Sequence, residues 1–277
     1  MSFKTPILLT IFNRPHNTEK VFDEIKKIKP TKFYIFSDGP RSQIKGEDKQ
    51  VEKARNIINK IDWHCNVKTF FSDRNLGLKL AIINAIDWFF IHEDSGIILE
   101  DDIIPHTDFF YFCENLLERY SKNDEILAIS GSNFQDGKWR GNGSYYFSKY
   151  FHSWGWATWR RAWKLNDSDI KFWPNWKRSN SWLNFISDKI ERTYWEDKFD
   201  KVYSKQFNNS WAYPWMTNIW YNNGLVAIPN VNLSKNIGFG IDATNTTQKD
   251  DPLANKDIKS LKQIKHTEFI VKNNDAE

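Results

Sequence analysis

The chain has 277 residues and a formal net charge of +4, with 40% hydrophobic and 27% charged residues. This composition is typical of a globular protein, and no apolar run reaches the roughly 20 residues that a membrane-spanning helix needs. The lysines and arginines are scattered and form no block, which argues against nucleic acid as a partner. Cys65 and Cys113 have no metal-binding spacing, and the N-terminus lacks the features of a signal peptide, so we expect a cytoplasmic protein.

The first half of the chain alternates between apolar runs and amphipathic segments. Strands are predicted at 6–12, 32–40, 66–73, 95–102 and 126–133, and helices at 47–61, 77–93 and 106–123. A further helix is predicted after the first strand, capped by Asn17 or Thr18, and the last of these helices is expected to be capped by Thr107 or Asp108. Such alternation predicts a mostly parallel, doubly wound α/β sheet with right-handed crossovers.

Polar residues follow the predicted strands where each strand ends. Asn13 and Arg14 follow the first strand, Asp38 the second and residues 73–75 the third. In open α/β sheets, ligands bind at the carboxyl ends of the strands. We therefore expect these side chains to line a ligand site at one edge of the sheet.

The fourth strand runs directly into three acids, Glu100, Asp101 and Asp102. Adjacent carboxylates repel one another and lose hydration near a core, so either a positive group or an open rim should accompany them. Such a cluster could hold Mg²⁺ or Mn²⁺, which prefer oxygen ligands and which would bridge a diphosphate. The alternative interpretation is a solvated turn after a strand.

Several common enzyme motifs are absent from the sequence. It contains no P-loop, no G-x-G-x-x-G after the first strand and no G-x-S-x-G, and its six histidines are dispersed. These absences argue against an ATPase, a dehydrogenase or a serine hydrolase.

Tryptophan is unusually frequent, with 14 residues, most of them between Trp139 and Trp220. Most are expected to fill a core, and some to form flat walls on which sugars stack. The segment 167–182 is expected to run over the surface, and the second half to pack against the sheet within a single domain.

Six segments, taken in order, resemble the GT-A glycosyltransferases, most closely the N-acetylglucosaminyltransferase I type and the bacterial nucleotide-diphospho-sugar transferases that share its plan. They are PILLTIFNRP, FYIFSDGP, DRNLGLKLAIINAIDWFF, GIILEDDIIPHTDFFYFCENLL, WGWATWRRAW and WAYPWMTNIWYNNGLVAIPNVNLSKNIGFG. The resemblance spans residues 5 to 245. It implies a GT-A sheet with an aromatic-rich acceptor region, in a single domain (1–277) with a nucleotide-sugar half (1–143) and an acceptor half (144–277).

The resemblance also implies a function. The protein would transfer a sugar from a nucleotide-diphosphate sugar, UDP-linked, to a glycan or glycolipid acceptor, using Mn²⁺ or Mg²⁺. Bacterial surface polysaccharide or lipopolysaccharide synthesis is the pathway expected, in the cytoplasm or, through peripheral membrane association, at the inner membrane face.

The site residues follow from the same resemblance. Asp102 would bind the metal, and Glu100 would act in the catalytic network. Lys79 is added on its position alone, because it lies one helical turn into the segment GLKLAI and could reach a phosphate from there. The nucleotide-sugar residues would be Thr10, Phe12, Arg14, Asp38, Asn75, Lys79 and Asp101, and the acceptor residues Trp154, Trp156, Trp211 and Trp215.

One departure from the family concerns the catalytic base. The family places acids between its two late tryptophans, but residues 211–215 here read WAYPW, without a carboxylate. An inverting transfer needs a base near the attacking hydroxyl, and Asp242, Glu196 and Asp197 are the candidates. A retaining transfer would need none of them, so both stereochemical outcomes stay open.

Two other functions remain as alternatives. A transferase fold that has lost its base could serve as a glycan-binding or scaffolding protein. A nucleotidyltransferase usually carries a Gly-rich loop after the first strand, and NRPHNT is not such a loop.

Overall fold

Ten strands and nine α-helices lie within residues 2–207, 209–239 and 256–277, which are the residues that the computed structural model describes. The strands are β1 (Ile7–Ile11), β2 (Lys32–Ser37), β3 (Asn66–Phe71), β4 (Ser95–Glu100), β5 (Ile103–Pro105), β6 (Ile126–Ser130), β7 (Tyr145–Ser148), β8 (Trp156–Trp159), β9 (Leu225–Pro229) and β10 (Ser234–Asn236). The helices are α1 (Pro15–Ile28), α2 (Glu47–Arg55), α3 (Leu78–His92), α4 (Thr107–Arg119), α5 (Arg160–Trp163), α6 (Trp173–Trp176), α7 (Asn180–Phe185), α8 (Lys189–Tyr203) and α9 (Ala212–Tyr221). Two short 3₁₀ helices cover Asn56–Lys60 and Asn274–Ala276.

Eight of the strands form one sheet in the order β3-β2-β1-β4-β8-β6-β9-β7. The first four are parallel neighbours, whereas β8 is antiparallel to both β4 and β6, and β7 is antiparallel to β9. Because β6 and β9 are parallel to each other, six of the eight strands run in one direction. The predicted mostly parallel α/β sheet is thus confirmed, although the antiparallel β8 at its centre was not predicted.

The central strands β1 and β4 owe their positions to continuous apolar runs. Every residue of β1 is buried, and the four central residues of β4 are buried as well. A strand covered by helices on both faces needs such a run and not an alternating pattern. By contrast, β3 at the sheet edge keeps half of its residues exposed.

A second, two-stranded sheet lies beside the acidic residues. β5 and β10 pair antiparallel, with Ile103 opposite Asn236 and Pro105 opposite Ser234. The amide of Ile237 then donates a hydrogen bond of 2.8 Å to the carbonyl of Asp102. This pairing brings the chain that follows β9 back against the end of β4.

Both predicted helix caps were wrong. α1 begins at Pro15, because proline has the φ of a first helical residue and needs no amide partner there. Thr18 lies inside this helix, where its hydroxyl donates to the carbonyl of Arg14. At α4 the cap is His106, whose Nδ1 accepts a hydrogen bond of 3.1 Å from the amide of Asp108.

The segment 167–182 does not run over the surface as predicted. Trp173 and Trp182 are 1% and 0% exposed, and their rings meet edge to face at 5.0 Å. Each indole nitrogen also has a hydrogen-bond acceptor: Nε1 of Trp173 donates to Asp200, and Nε1 of Trp182 donates to Glu196. Polar flanking residues suggested a surface loop, but the tryptophans find apolar partners on α8 and α9 and join the core.

Candidate functional site

Arg14 and the acidic residues meet at the carboxyl edge of the sheet, where β1 and β4 end side by side. Nη2 of Arg14 lies 2.5 Å from Oδ1 of Asp101, and Nη1 lies 2.9 Å from Oδ2 of Asp102. The amide of Phe12 donates to the other oxygen of Asp101 at 3.1 Å. One guanidinium thus holds two adjacent carboxylates, which explains how a buried strand can end in a run of acids.

Burial and mutual repulsion control the charges of this cluster. Burial raises the pKa of Glu100, and the neighbouring Asp102 and Asp101 raise it further. Burial also raises the pKa of Asp101, although Arg14 opposes this rise. Burial alone would lower the pKa of Arg14, but the carboxylates outweigh it and raise that pKa. The raised pKa values favour the protonated forms of Glu100 and Asp101, and a further cation beside them would favour the ionised forms.

Asp38 fastens the loop after β2 to the loop after β3. Its Oδ1 accepts hydrogen bonds of 2.8 Å from the amides of Gly39 and Leu76. Its Oδ2 accepts from Nδ2 of Asn75 at 2.9 Å and from the amide of Gly77 at 3.2 Å. Burial raises the pKa of Asp38, and the three amides partly oppose that rise. Since these four bonds occupy a carboxylate's acceptor sites, Asp38 is placed to hold the loops and Asn75 in position.

A cavity of 250 Å³, called the inner cavity here, opens between these loops. Six of the predicted nucleotide-sugar residues line it, namely Thr10, Phe12, Arg14, Asp38, Asn75 and Asp101. Ile11, Phe36 and Ile82 contribute an apolar wall. An apolar slot with a few fixed polar groups suits a flat heteroaromatic ring.

Sequence reasoning missed Arg41, which lines the inner cavity, and Glu47, which holds the Arg41 side chain. The guanidinium of Arg41 lies 5.6 Å from the centre of the Phe12 ring, and it pairs with the buried carboxylate of Glu47. Glu47 also accepts a hydrogen bond of 2.8 Å from Nδ2 of Asn13. Burial would raise the pKa of Glu47, but these donors outweigh it and hold the pKa below its ordinary value. The position of Arg41, directly after the turn at Asp38, was the available signal.

A second cavity of 130 Å³, the outer cavity, adjoins the inner one and shares Arg14, Leu78 and Glu100 with it. Its remaining walls bring Asp102 together with Trp154 and Trp211. Ser153, Ser210, Asn236 and Gly238 line it as well, and none of these four was predicted. The acids thus stand between a nucleotide-sized slot and an aromatic wall.

Three predicted site residues lie elsewhere. Nζ of Lys79 donates to the carbonyl of Ser168 at 2.7 Å, so its cation is turned away from the cavities. Trp156 and Trp215 are 0% exposed and pack against each other at 6.3 Å, so neither can contact an acceptor. The prediction that these three residues line the site was therefore wrong. The core takes up the two tryptophan side chains, and a backbone carbonyl takes up the ammonium group of Lys79.

Two of the three candidates for the catalytic base, Glu196 and Asp197, have other partners in the structure. Glu196 accepts the hydrogen bond from Trp182, and Asp197 pairs with Lys201 on the surface of α8. Neither lines the inner or the outer cavity. Asp242 lies outside the described residues.

The donor atoms of the outer cavity fit a hard divalent cation. Asp102 and Glu100 offer carboxylate oxygens to the same space, and Asn236 offers an amide. Within residues 2–207, 209–239 and 256–277, no group of three or more His, Cys, Asp or Glu side chains is arranged to hold a metal. One or two carboxylates suffice for Mg²⁺ when substrate phosphates supply the other ligands.

No helix in the described part of the chain combines the length and the apolar character that crossing a bilayer requires.

No protein-family model and no curated protein matches the sequence. Among solved structures, the chain is similar to mouse xyloside xylosyltransferase 1 at 10% identity and a TM-score of 0.38, over 78% of this chain and 81% of that one. It is similar to 4-diphosphocytidyl-2C-methyl-D-erythritol synthase from Anaerococcus prevotii at 9% identity and a TM-score of 0.35, over 79% and 97% of the two chains. HddC from Yersinia pseudotuberculosis matches at 11% identity and a TM-score of 0.36, over 57% and 77%. At these identities and scores the likeness does not extend to an activity.

Proposed function

We propose that the protein is a glycosyltransferase that moves a sugar from a nucleotide-diphosphate sugar, UDP-linked, to a carbohydrate acceptor. The observation that carries this proposal is the pair of adjoining cavities at the carboxyl edge of the sheet. Arg14 and Glu100 line both cavities, Asp101 lines the inner one and Asp102 the outer one. A donor with a flat base, a diphosphate and a sugar would span them in that order.

The inner cavity would take the nucleoside. Phe12 and Phe36 supply apolar surface for the base, and Asn75 offers an amide that Asp38 already orients. Asp101, held by Arg14, lines the same cavity and could accept a further hydrogen bond from a ribose hydroxyl. This arrangement places the diphosphate at the boundary between the cavities, beside Arg14.

Asp102 and Glu100 would hold Mn²⁺ or Mg²⁺ at that boundary. A bound cation of this kind neutralises charge that develops on a diphosphate leaving group. The guanidinium of Arg14 would then face both the acids and the diphosphate, since Arg14 lines the outer cavity and its Nη1 pairs with Asp102.

The outer cavity would take the transferred sugar and the acceptor hydroxyl. Trp154 and Trp211 offer aromatic surface, and Ser153 and Asn236 offer hydrogen-bonding groups. Glu100 is a cavity acid that can accept a hydrogen bond from a sugar hydroxyl. A retaining transfer, in which the leaving phosphate takes the acceptor proton, agrees with the lack of a carboxylate between Trp211 and Trp215.

The proposal includes the setting that the sequence suggested. The acceptor would be a glycan or a glycolipid of bacterial surface polysaccharide or lipopolysaccharide synthesis, reached in the cytoplasm or at the inner membrane face. Residues 1–143 would form the nucleotide-sugar half and residues 144–277 the acceptor half.

A donor screen tests the proposal. Turnover of a panel of nucleotide sugars is measured with Mn²⁺, with Mg²⁺ and with a chelator, for the unmodified protein and for Asp102→Asn. We expect cation-dependent turnover that Asp102→Asn lowers by at least about a hundredfold, the scale of losing a catalytic charge interaction. Asp94→Asn is the matched control, because that side chain is 92% exposed and lies at the opposite end of β4. Full activity in Asp102→Asn, or equal losses in both variants, would refute the assignment.

The ion pairs of Arg14 favour one other candidate, a glycan-binding protein without turnover. In the structure Arg14 already pairs with both Asp101 and Asp102, as it would in a site that binds no cation. This candidate predicts glycan binding without turnover of any donor in the same panel.

A further inference from the structure

A tight loop at residues 135–140 presents an exposed tryptophan. The amide of Lys138 donates to the carbonyl of Gln135 at 2.9 Å, and the two central residues, Asp136 and Gly137, have φ of 52° and 81°. Two consecutive positive φ angles inside this hydrogen bond are the mark of a type I′ turn, for which Asp-Gly is a preferred pair. The turn directs the chain so that Trp139 follows it with 55% of its surface exposed.

The loop is rigid because it is bonded on both sides of Trp139. Nε of Arg140 donates to Oε1 of Gln135 at 2.8 Å, and the amide of Arg140 donates to Oδ1 of Asn230 at 2.8 Å. Nε2 of Gln135 also donates to the carbonyl of Ala276 at 3.1 Å. These bonds hold the backbone on both sides of the exposed indole, so less conformational freedom is lost when a ligand stacks on it than in an unbonded loop.

Trp139 lines an open cavity of 510 Å³ that neither the inner nor the outer cavity includes. We call it the distal cavity. Its floor is made of buried asparagines whose side chains are bonded to the backbone, for instance Asn133 to the carbonyl of Pro229 at 2.7 Å. Its rim carries charged side chains, among them Asp136, which pairs with Lys256, and the neighbouring Asp257 and Lys259. An exposed aromatic ring beside carboxylates and ammonium groups can bind both the apolar face and the hydroxyls of a sugar.

The distal cavity opens at the same edge of the sheet as the outer cavity. Asn133 follows β6, and Asn230 follows β9, two strands that run in the same direction as β1 and β4. Asn232 lines the distal cavity and Asn236 lines the outer one. Three residues lie between these two asparagines, and four Cα–Cα steps keep their Cα atoms within about 14 Å of each other.

Aromatic rings extend from the outer cavity to the chain that follows β6. Phe134, next to Asn133, meets the ring of Trp154 edge to face at 5.2 Å. Trp154 itself lines the outer cavity and meets Phe239 at 5.7 Å. Rings that suit a sugar therefore extend from the outer cavity to Phe134, the residue next to the tight loop at 135–140.

We propose that the distal cavity binds the remote sugars of an oligosaccharide acceptor whose reacting end lies in the outer cavity. This proposal rests on the proposed function, because it takes the outer cavity as the place where the acceptor reacts. It narrows the class of acceptor from carbohydrates in general to oligosaccharides. Trp139 would stack on a sugar ring and Asp136 and Asp257 would accept hydrogen bonds from its hydroxyls.

Binding measurements without nucleotide test this proposal separately from catalysis. The unmodified protein is first applied to a printed panel of microbial monosaccharides and oligosaccharides, and the strongest oligosaccharide is then titrated by calorimetry. We expect Trp139→Ala to weaken that oligosaccharide about tenfold and Trp139→Phe to weaken it less, since an aromatic contact is worth on the order of 1 kcal/mol beyond its buried area. Tyr111→Ala is the matched control, because Tyr111 is 49% exposed on α4 and lines none of the three cavities.

The outcomes separate the two proposals. Absence of oligosaccharide binding, or equal binding by Trp139→Ala and the unmodified protein, overturns the distal site whatever the donor screen shows. Oligosaccharide binding that depends on Trp139 in a protein without donor turnover keeps the distal site and rejects the transferase. Equal thermal unfolding midpoints for Trp139→Ala and the unmodified protein are expected, since the side chain lies largely in solvent.

Discussion

Arg14 holds Asp102 through a charge-assisted hydrogen bond of 2.9 Å between Nη1 and Oδ2. The same guanidinium holds Asp101, which is 2% exposed. Arg14→Met would leave two largely buried carboxylates without a cation, so we expect the free energy of unfolding to fall by about 3 kcal/mol. Urea denaturation measures this loss. Arg14→Lys keeps the charge but not the two-pronged geometry and should cost less. A Met variant as stable as the unmodified protein would show that the pair does not hold the acids.

Gly238 leaves room for the carboxylate of Asp102. A Cβ at this position would collide with Oδ2 of Asp102 and press on the guanidinium of Arg14. We expect Gly238→Ala to displace Asp102 and to reduce donor turnover by about a hundredfold, the effect of misplacing a catalytic group by an ångström. Turnover is measured in Gly238→Ala, Asp102→Asn and the double variant. If the effect runs through Asp102, the double variant loses no more activity than Asp102→Asn; additive losses would contradict this explanation.

His152 links stability to pH. Burial lowers the pKa of His152 to about 4, and its ring meets Phe134 edge to face at 4.7 Å. Between pH 6.5 and 4 the unfolded chain binds a proton at this residue that the folded chain does not, so stability falls as the pH falls through that window. We expect a loss of about 2–3 kcal/mol, which His152→Gln should remove. Denaturation between pH 8 and pH 4 measures it, with the exposed His64→Gln as control. Parallel pH profiles for His152→Gln and the unmodified protein would exclude His152 as the cause.

Trp182 fills the core of the second half of the chain. It is 0% exposed and contacts Trp176 at 4.9 Å. Trp182→Ala should lower the free energy of unfolding by about 3–5 kcal/mol, as large-to-small core substitutions do. Leu183→Ala, at a neighbouring residue that is 45% exposed, should cost far less. Donor affinity, measured well below the unfolding midpoint, should be the same in both variants; a changed affinity in Trp182→Ala alone would place this residue in the site.

The sequence predicted most of the structure wherever a local pattern decides the outcome. Apolar runs located β1 to β4 and β6, and the rule that ligands bind at carboxyl ends brought Arg14, Asp38 and Asp101 into one cavity. The antiparallel β8 escaped prediction because its sequence, WATW, is too short for a periodicity.

The site residues that were predicted wrongly contact residues that are distant in the sequence. Nothing near Lys79 in sequence indicates that the carbonyl of Ser168 takes its ammonium group. Likewise, a tryptophan in a core and a tryptophan in a sugar-binding wall look the same in a sequence. Only the packing of Trp156 on Trp215 distinguishes them from Trp154 and Trp139.

The place of β8 between β4 and β6 has a consequence for biosynthesis. β8 follows both of its neighbours in the chain, and β6 gains its other neighbour only with β9 at residues 225–229. A nascent chain must therefore carry unpaired strand edges while the ribosome, at about 5–20 residues per second, completes the second half. We expect translation products that stop near residue 143 to aggregate or to require a chaperone.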